Sequence, residues 1–298
     1  MSRRVVVAAY AKVNLTLEVL GKREDGYHEL ASVFATIDLR DNVRVAASHR
    51  LDVRVSPPIP VGPHDELATR SVAALASATG RTAVAHIRIA KRIPLASGLG
   101  GGSSDAGATL RGLARLWRLD GIDLCRVGAQ VGSDVPFFAS GAGFALVRGR
   151  GELVESLPPP AMRLWIVLVL VAARLDTPSV FAALPERRSD GSRSRAIAER
   201  LRNGTATVEV LRDGLVNDLT ETAERIAPSI ANTRNLAAIL GIDLTMSGSG
   251  PSLFTLAKDR AHALQMARVL RRAGLKARLC ALGVAPRSTS DRGLSPYG

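Results

Sequence analysis

Ile93-Pro94-Leu95-Ala96-Ser97-Gly98-Leu99-Gly100-Gly101-Gly102-Ser103-Ser104-Asp105 is the stretch on which the reading of this chain turns. Four glycines in five positions give a backbone free to take positive φ and to approach a ligand unobstructed. Ser103, Ser104 and Asp105 are residue types preferred at N-caps and in first helical turns. Behind them Ala106, Leu110, Leu113 and Trp117 recur at helical spacing, which predicts a packed helix opening at this loop. The free N–H groups and positive dipole end of such a helix form an anion site, so the loop reads as a phosphate cradle. Two familiar phosphate loops do not fit. A Walker loop ends in Gly-Lys-Ser/Thr, and no lysine lies between Lys91 and the helix. The dinucleotide fingerprint needs a third glycine where Ser103 stands.

Upstream, Lys12 to Val19 alternates strictly: Val13, Leu15, Leu17 and Val19 on one face, Lys12, Asn14, Thr16 and Glu18 on the other. That pattern predicts a half-buried strand with Lys12 and Asn14 side by side on its polar face. Taken alone, Lys12 reads as a solvated strand lysine. Gly21 to Leu30 is a polar turn closed by Asp25-Gly26, with Tyr27 and His28 placed to cap a hairpin or to hold a polar ring or phosphate. Two short strands are expected at Val43–Val45 and Leu51–Val55, and then Pro57, Pro58, Pro60 and Pro63 form a rigid connection. Asp65 is the expected cap of a helix to Thr79, and Ala85, Ile87 and Ile89 mark a strand feeding the glycine loop. His86 reads as a surface residue of that strand, with no other metal ligand at useful spacing.

Downstream, Asp120 to Val131 is expected to be helical and leads into Gly132-Ser133-Asp134-Val135-Pro136-Phe137-Phe138. Asp134 is either a helix cap or a carboxylate held at the edge of a site and available as a general base. A hairpin is expected around Arg148-Gly149-Arg150-Gly151, and Leu157-Pro158-Pro159-Pro160 reads as a domain boundary. Beyond it come a buried strand from Leu164 and a helix capped by Thr177 with Pro178 first inside. An Arg/Ser/Gly-rich segment from Pro185 to Thr205 reads as a mobile surface loop. Helix is expected from Asp218 to Leu240, followed by a second Gly/Ser turn at Met246 to Ser252. A strand near Leu253–Leu256, a helix at Asp259–Ala273 and a strand at Ala277–Leu282 complete an α+β second domain. The expected division is residues 1–157, then 161–285, with a disordered tail at 286–298.

The chain has 298 residues, room for two ordinary domains, and its 46% hydrophobic and 22% charged content is that of a globular protein. Net charge is +13, carried mostly by dispersed arginine, but with only six Phe, three Tyr and two Trp no basic-plus-aromatic stacking surface is evident. Nucleic acid is therefore not an expected partner. Cys125 and Cys280 lie far apart without metal-ligand spacing and read as reduced, buried residues. The longest apolar run, Leu164 to Ala173, is too short to span a bilayer, so a cytoplasmic protein is expected.

Ala11-Lys12-Val13-Asn14-Leu15, Arg23 to Leu30, Pro94 to Asp105, Gly132 to Phe138 and Ser247-Gly248-Ser249-Gly250 occur in one order. Together they resemble the GHMP kinase superfamily, over Ala9 to Leu282. The Asp-Gly-Tyr-His-Glu and Gly-Ser-Asp-Val-Pro-Phe-Phe segments are similar to its branch acting on a cytidyl-diphosphate-linked sugar alcohol in non-mevalonate isoprenoid synthesis. The resemblance implies an α+β fold of two domains, ribosomal-protein-S5-like and then ferredoxin-like, with the active site in the cleft between them. It implies transfer of the ATP γ-phosphoryl group to the substrate's 2-hydroxyl, with Asp134 and Lys12 as catalytic residues. ATP is expected on Pro94, Leu95, Ala96, Ser97, Gly98, Leu99, Gly100, Gly101, Gly102, Ser103 and Ser104. Asn14, Tyr27, His28 and Phe181 are expected to line the cytidyl pocket, with Phe181 stacked on the cytosine. Mg²⁺ is expected with the nucleotide, although the sequence does not show its ligand. The assembly is expected to be a monomer or homodimer. Tyr10 and Ser97 depart from the family pattern, where proline and alanine are usual.

Overall fold

A computed structural model describes residues 4–58, 63–185 and 189–285. In chain order the first half runs β1 (Arg4–Lys22), β2 (His28–Ala46), β3 (Asp52–Ser56), α1 (Pro63–Thr79), β4 (His86–Ala90) and α2 (Gly101–Trp117). It continues with α3 (Leu124–Ala129), α4 (Val135–Ser140), β5 (Phe144–Gly149) and β6 (Leu153–Leu157). The second half runs β7 (Trp165–Leu170), α5 (Thr177–Ala182), α6 (Ser192–Arg202), α7 (Val208–Asp213), β8 (Val216–Asn217) and α8 (Thr220–Ile226). It ends with α9 (Pro228–Ile239), β9 (Thr245–Met246), β10 (Leu253–Ala257), α10 (Arg260–Arg272) and β11 (Lys276–Ala281). The expected tail from Pro286 onward lies outside the described residues.

Seven strands form the first sheet, ordered β3-β4-β2-β1-β8, with β5 also on β2 and β6 on β5. The length of β2 makes this possible: Asn42–Ala46 pairs with β4 and Leu30–Ala35 pairs with β5 along the same edge. The second sheet is antiparallel, ordered β11-β7-β10-β9. One apolar cluster joins the two: Val13, Leu15, Val33 and Ile37 of the first sheet pack with Ile166, Leu168, Phe254 and Cys280 of the second. No helix among the described residues is long and apolar enough to cross a membrane.

Several expectations change. The long β2 replaces the short strand expected near Val43, because Ala31 to Ile37 is buried on both faces and so shows no alternation. The polar face of β1 is not solvated: Lys12, Asn14, Thr16 and Glu18 are all buried. Over Thr16 and Glu18 the cover comes from the segment expected to be a loop at Pro185–Thr205. Ser192–Arg202 is a helix whose buried residues Ser194, Ile197, Ala198 and Leu201 follow i, i+3, i+4, i+7. Ser194 anchors it, its N–H donating to Glu18 Oε2 at 2.7 Å and its hydroxyl sharing contacts with Glu18 and Thr16. The remaining differences are local. Asp176, not Thr177, caps α5 by accepting from Ser179 N; Asp65 falls inside the first turn of α1; α3 is shorter than expected and α7 was not foreseen.

Candidate active site

The glycine loop leads directly into α2, as expected, but its capping differs. Gly100 is the N-cap, in the left-handed region at φ 69°, and no side chain caps the helix. Ser104 lies a turn inside, fully buried, with its hydroxyl donated to the Tyr10 carbonyl at 2.6 Å and its N–H to Gly100 at 2.8 Å. The side chain fastens the helix to β1. Leu99 is likewise turned into the core. Contact at Leu99 can come only from the backbone, since the loop needs this side chain as its anchor. Gly101, Gly102 and Ser103, at the first helical positions, leave N–H groups without partners inside the helix. Ser103 is half-buried, Leu95 and Ala96 are exposed, and Pro94 accepts from Ser97 Oγ at 2.7 Å.

Under the loop sits a buried charge cluster that the sequence did not reveal. Lys91 Nζ donates to Asp41 Oδ2 at 2.5 Å and Asp105 Oδ2 at 2.6 Å, while Asp41 also accepts from the N–H groups of Arg92 and Ile93. Asp105 was expected in the first turn as a capping residue; it is instead buried, and its Oδ1 lacks a hydrogen-bond partner. Burial pushes its carboxyl up to about 7, opposed by Lys91 and reinforced by Asp41. A carboxyl raised above its unfolded value gives the native state an advantage at low pH that is lost as pH rises through about 7. Asp105→Asn should flatten this slope. Urea midpoints at pH 5 and pH 8 should show the variant gaining on wild type by roughly 1–3 kcal/mol across that interval. Parallel curves would show that Asp105 is ionised throughout.

Lys12 and Asp134 meet at the mouth of the loop. Register shifts in the β1–β2 pairing fall between Tyr10 and Lys12 and between Asn14 and Thr16, bracketing the two polar residues. Such irregularities re-aim side chains. The Lys12 N–H donates to Leu99 O at 3.0 Å, tying the strand to the loop. Its ammonium donates to Asn14 Oδ1 at 2.6 Å, lies 4.7 Å from the Phe34 ring centroid and 3.8 Å from Asp134 Oδ2. Burial holds the Lys12 ammonium below its ordinary pKa, and Asp134 works against that shift. Asp134 occupies the N-cap position of α4, yet its side chain makes no capping bond and is 31% exposed. A carboxylate that caps nothing, beside a lysine that is 5% exposed, is free to act on a ligand.

The second Gly/Ser turn closes over this pair. Ser247 Oγ donates to Gly98 O at 3.2 Å, and Ser252 N donates to Ser97 O at 3.2 Å. A Cβ at Gly248, which has φ 58°, would lie 2.9 Å from Gly98 O and 3.2 Å from Lys12 Nζ, so only glycine allows this approach. Asn217, which sequence reasoning missed, holds the turn from behind, donating to both Met246 O and Gly248 O at 2.8 Å.

The remaining expected residues also come together. The His28 and Phe181 rings lie 5.2 Å apart between centroids, although separated widely in sequence, and Arg150 stands 5.0 Å from the Tyr27 ring. Desolvation and then Lys22 lower the His28 pKa, which leaves a neutral ring able to donate and accept. Asn14 Nδ2 donates to Ser32 Oγ at 3.0 Å, so its amide is fixed on both sides. The Arg150 turn also touches the Asp134 segment: a Cβ at Gly151 would lie 2.9 Å from Ser133 O. Among the described residues no group of three or more His, Cys, Asp or Glu forms a metal cage.

Residues 66–142 match the GHMP kinases N terminal domain and residues 193–276 the GHMP kinases C terminal domain. A 4-diphosphocytidyl-2-C-methyl-D-erythritol kinase of Gloeobacter violaceus is 40% identical over 277 residues, covering 90% of each chain. One of Brevibacillus brevis is 36% identical over 277 residues, covering 90% of this chain and 92% of the relative. A crystal structure of 4-(cytidine 5'-diphospho)-2C-methyl-D-erythritol kinase superposes with a TM-score of 0.76 at 35% identity, covering 94% of this chain and all of that one. A homoserine kinase from Cytophaga hutchinsonii shares the fold alone, at TM-score 0.71 and 17% identity. With its two-domain fold and these relatives, the chain belongs to the 4-diphosphocytidyl-2-C-methyl-D-erythritol kinase family of the GHMP kinases.

Proposed function

We propose that this protein transfers the γ-phosphoryl group of ATP to the 2-hydroxyl of 4-diphosphocytidyl-2-C-methyl-D-erythritol, in isoprenoid precursor synthesis. The observation that carries the reading is the uncapping Asp134 carboxylate set 3.8 Å from a buried Lys12 at the mouth of the glycine loop. In this reading Asp134 accepts the hydroxyl proton as the substrate oxygen forms its bond to the γ-phosphorus. The bond from that phosphorus to the β-bridging oxygen breaks and ADP leaves. Lys12 stabilises charge on the transferring oxygens. The segment from Pro94 to Ser104 holds ATP, with the backbone N–H groups at the start of α2 toward the phosphates, which supplies most of what a loose phosphoryl-transfer transition state needs.

Tyr27, His28 and Phe181 are the proposed cytosine site, a polar ring flanked by aromatic faces. Asn14 is proposed to orient the sugar alcohol beside Lys12. Mg²⁺ would neutralise phosphate charge when bound. The proposed enzyme is cytoplasmic, and one chain carries the whole constellation.

The test is ATP consumption by the purified protein with Mg²⁺, comparing the cytidyl substrate with homoserine and mevalonate. Selective turnover of the cytidyl substrate is expected. Turnover of homoserine or mevalonate at comparable kcat/KM would overturn the substrate assignment.

A further inference from the structure

Asn217 touches none of the reacting groups proposed above, yet it is built into the site more firmly than most of them. Its short strand β8 lies parallel to β1 in register, Thr16 against Val216 and Leu17 against Asn217. The next residue locks that register twice: Asp218 N donates to Leu17 O at 2.9 Å, and Val19 N donates to Asp218 Oδ2 at 2.7 Å. Asn217 is therefore fixed to the same strand that carries Lys12 and Asn14. Its side chain is 8% exposed and fully used. Nδ2 gives one hydrogen to Met246 O and one to Gly248 O, both at 2.8 Å, and Oδ1 accepts from Leu219 N at 2.9 Å.

Those two carbonyls flank Ser247, whose hydroxyl donates to Gly98 O. Gly248 is the residue whose Cβ would meet both Gly98 O and Lys12 Nζ. Moving the Gly248 carbonyl therefore moves the wall against which the ammonium rests and the brace on the phosphate loop. Backbone bonds close the turn itself, Ser247 N donating to Ser252 O at 2.9 Å and Gly250 N to Ser247 O at 3.0 Å, and Thr177 and Ser249 share a hydroxyl contact at 2.8 Å, but it is the Asn217 side chain that holds the Met246 and Gly248 carbonyls.

We propose that Asn217 is a positioning residue for phosphoryl transfer: its amide gauges the distance between β1 and the 247–252 turn, and so sets Lys12 against the glycine loop. An amide is required chemically. Two carbonyl oxygens face the side chain and need two donors, which a carboxylate of the same shape lacks and would repel. The inference rests on the catalytic reading of Lys12 and Asp134.

The test compares Asn217→Asp with wild type in steady-state kinetics, with Asp134→Asn measured alongside and thermal unfolding monitored for each. Asn217→Asp should lower kcat about 10- to 100-fold, raise KM for ATP and leave KM for the cytidyl substrate within about twofold, in a protein that melts cooperatively. Its activity relative to wild type should rise as pH falls, because a protonated carboxyl regains one donor. Wild-type kcat in folded Asn217→Asp would overturn the inference, as would equal rises in both KM values with kcat unchanged. If Asp134→Asn kept full activity, the catalytic reading itself would fall instead. Should Asn217→Asp not fold, Gly248→Ala carries the test, with a kcat loss of the same order expected. A wild-type kcat there would overturn the positioning role of the turn.

Discussion

Asp134→Asn is expected to keep both ligands bound and to lose about two to four orders of magnitude in kcat. The substitution is nearly isosteric, and Asp134 makes no capping hydrogen bond to α4, so the helix loses nothing it was using. An amide cannot accept the hydroxyl proton, and that is the function removed. A second consequence follows from the pair. The Lys12 ammonium is held below its ordinary pKa by burial, with Asp134 as the main opposing influence. Without the carboxylate the lysine loses its counter-ion, so the variant's residual rate should fall further as pH rises and the lysine deprotonates. Equilibrium binding of ATP and the cytidyl substrate, measured separately from turnover, distinguishes a lost base from a lost site. A folded variant turning over within threefold of wild type would remove Asp134 from the chemistry.

Much of the fold was legible because its elements carry strong local signals. The glycine loop, the helix behind it and the β5–β6 hairpin stand where periodicity and turn chemistry put them. What failed was burial on a second face. Lys12, Asn14, Thr16 and Glu18 alternate with apolar residues, which reads as a wet polar face. Thr16 and Glu18 are dry because α6 lies on them, while Lys12 and Asn14 are enclosed by Phe34, Ser32 and the Gly248 turn; α6 is disguised by Arg193, Arg195, Arg200 and Arg202. The stripe of Ser194, Ile197, Ala198 and Leu201 was present in the sequence at helical spacing. Its leading member is a serine, so a search for apolar residues alone passed over it.

The site was legible in its residue types more than in its geometry. Lys12, Asp134, Tyr27, His28 and Phe181 carry side chains whose chemistry suits their proposed roles, and the fold brings distant ones together. The residues that set distances were not legible. Asn217, Lys91 and Asp41 act through backbone carbonyls and buried charge, partners that leave no trace at sequence spacing. Ser104 holds a contact of the same hidden kind, its hydroxyl closing the gap between α2 and the Tyr10 carbonyl.

Lys12→Met is expected to separate stability from catalysis. The depressed pKa of Lys12 means the native state disfavours its bound proton relative to the unfolded chain. By linkage, a lysine of this kind costs stability at neutral pH, and wild type regains that cost as pH rises through the lowered pKa toward 10.5. Methionine fills similar volume without a charge to desolvate. Its structural debts are the Asn14 Oδ1 acceptor, which loses its 2.6 Å donor, and the partly exposed Asp134 carboxylate, which loses its counter-ion to solvent. At pH 7 the variant should therefore melt at or above the wild-type temperature, with any wild-type deficit narrowing as pH rises toward 10.5. Catalysis should show the opposite: a fall in kcat of about 10²- to 10³-fold, because a donor aimed at developing charge is gone. Lys12→Arg should not rescue it. A planar guanidinium is too broad for a space bounded by the Phe34 ring and by Gly248, whose Cβ position lies 3.2 Å from Nζ. A Lys12→Met enzyme that was destabilised and yet retained kcat within fivefold would show a structural lysine rather than a catalytic one.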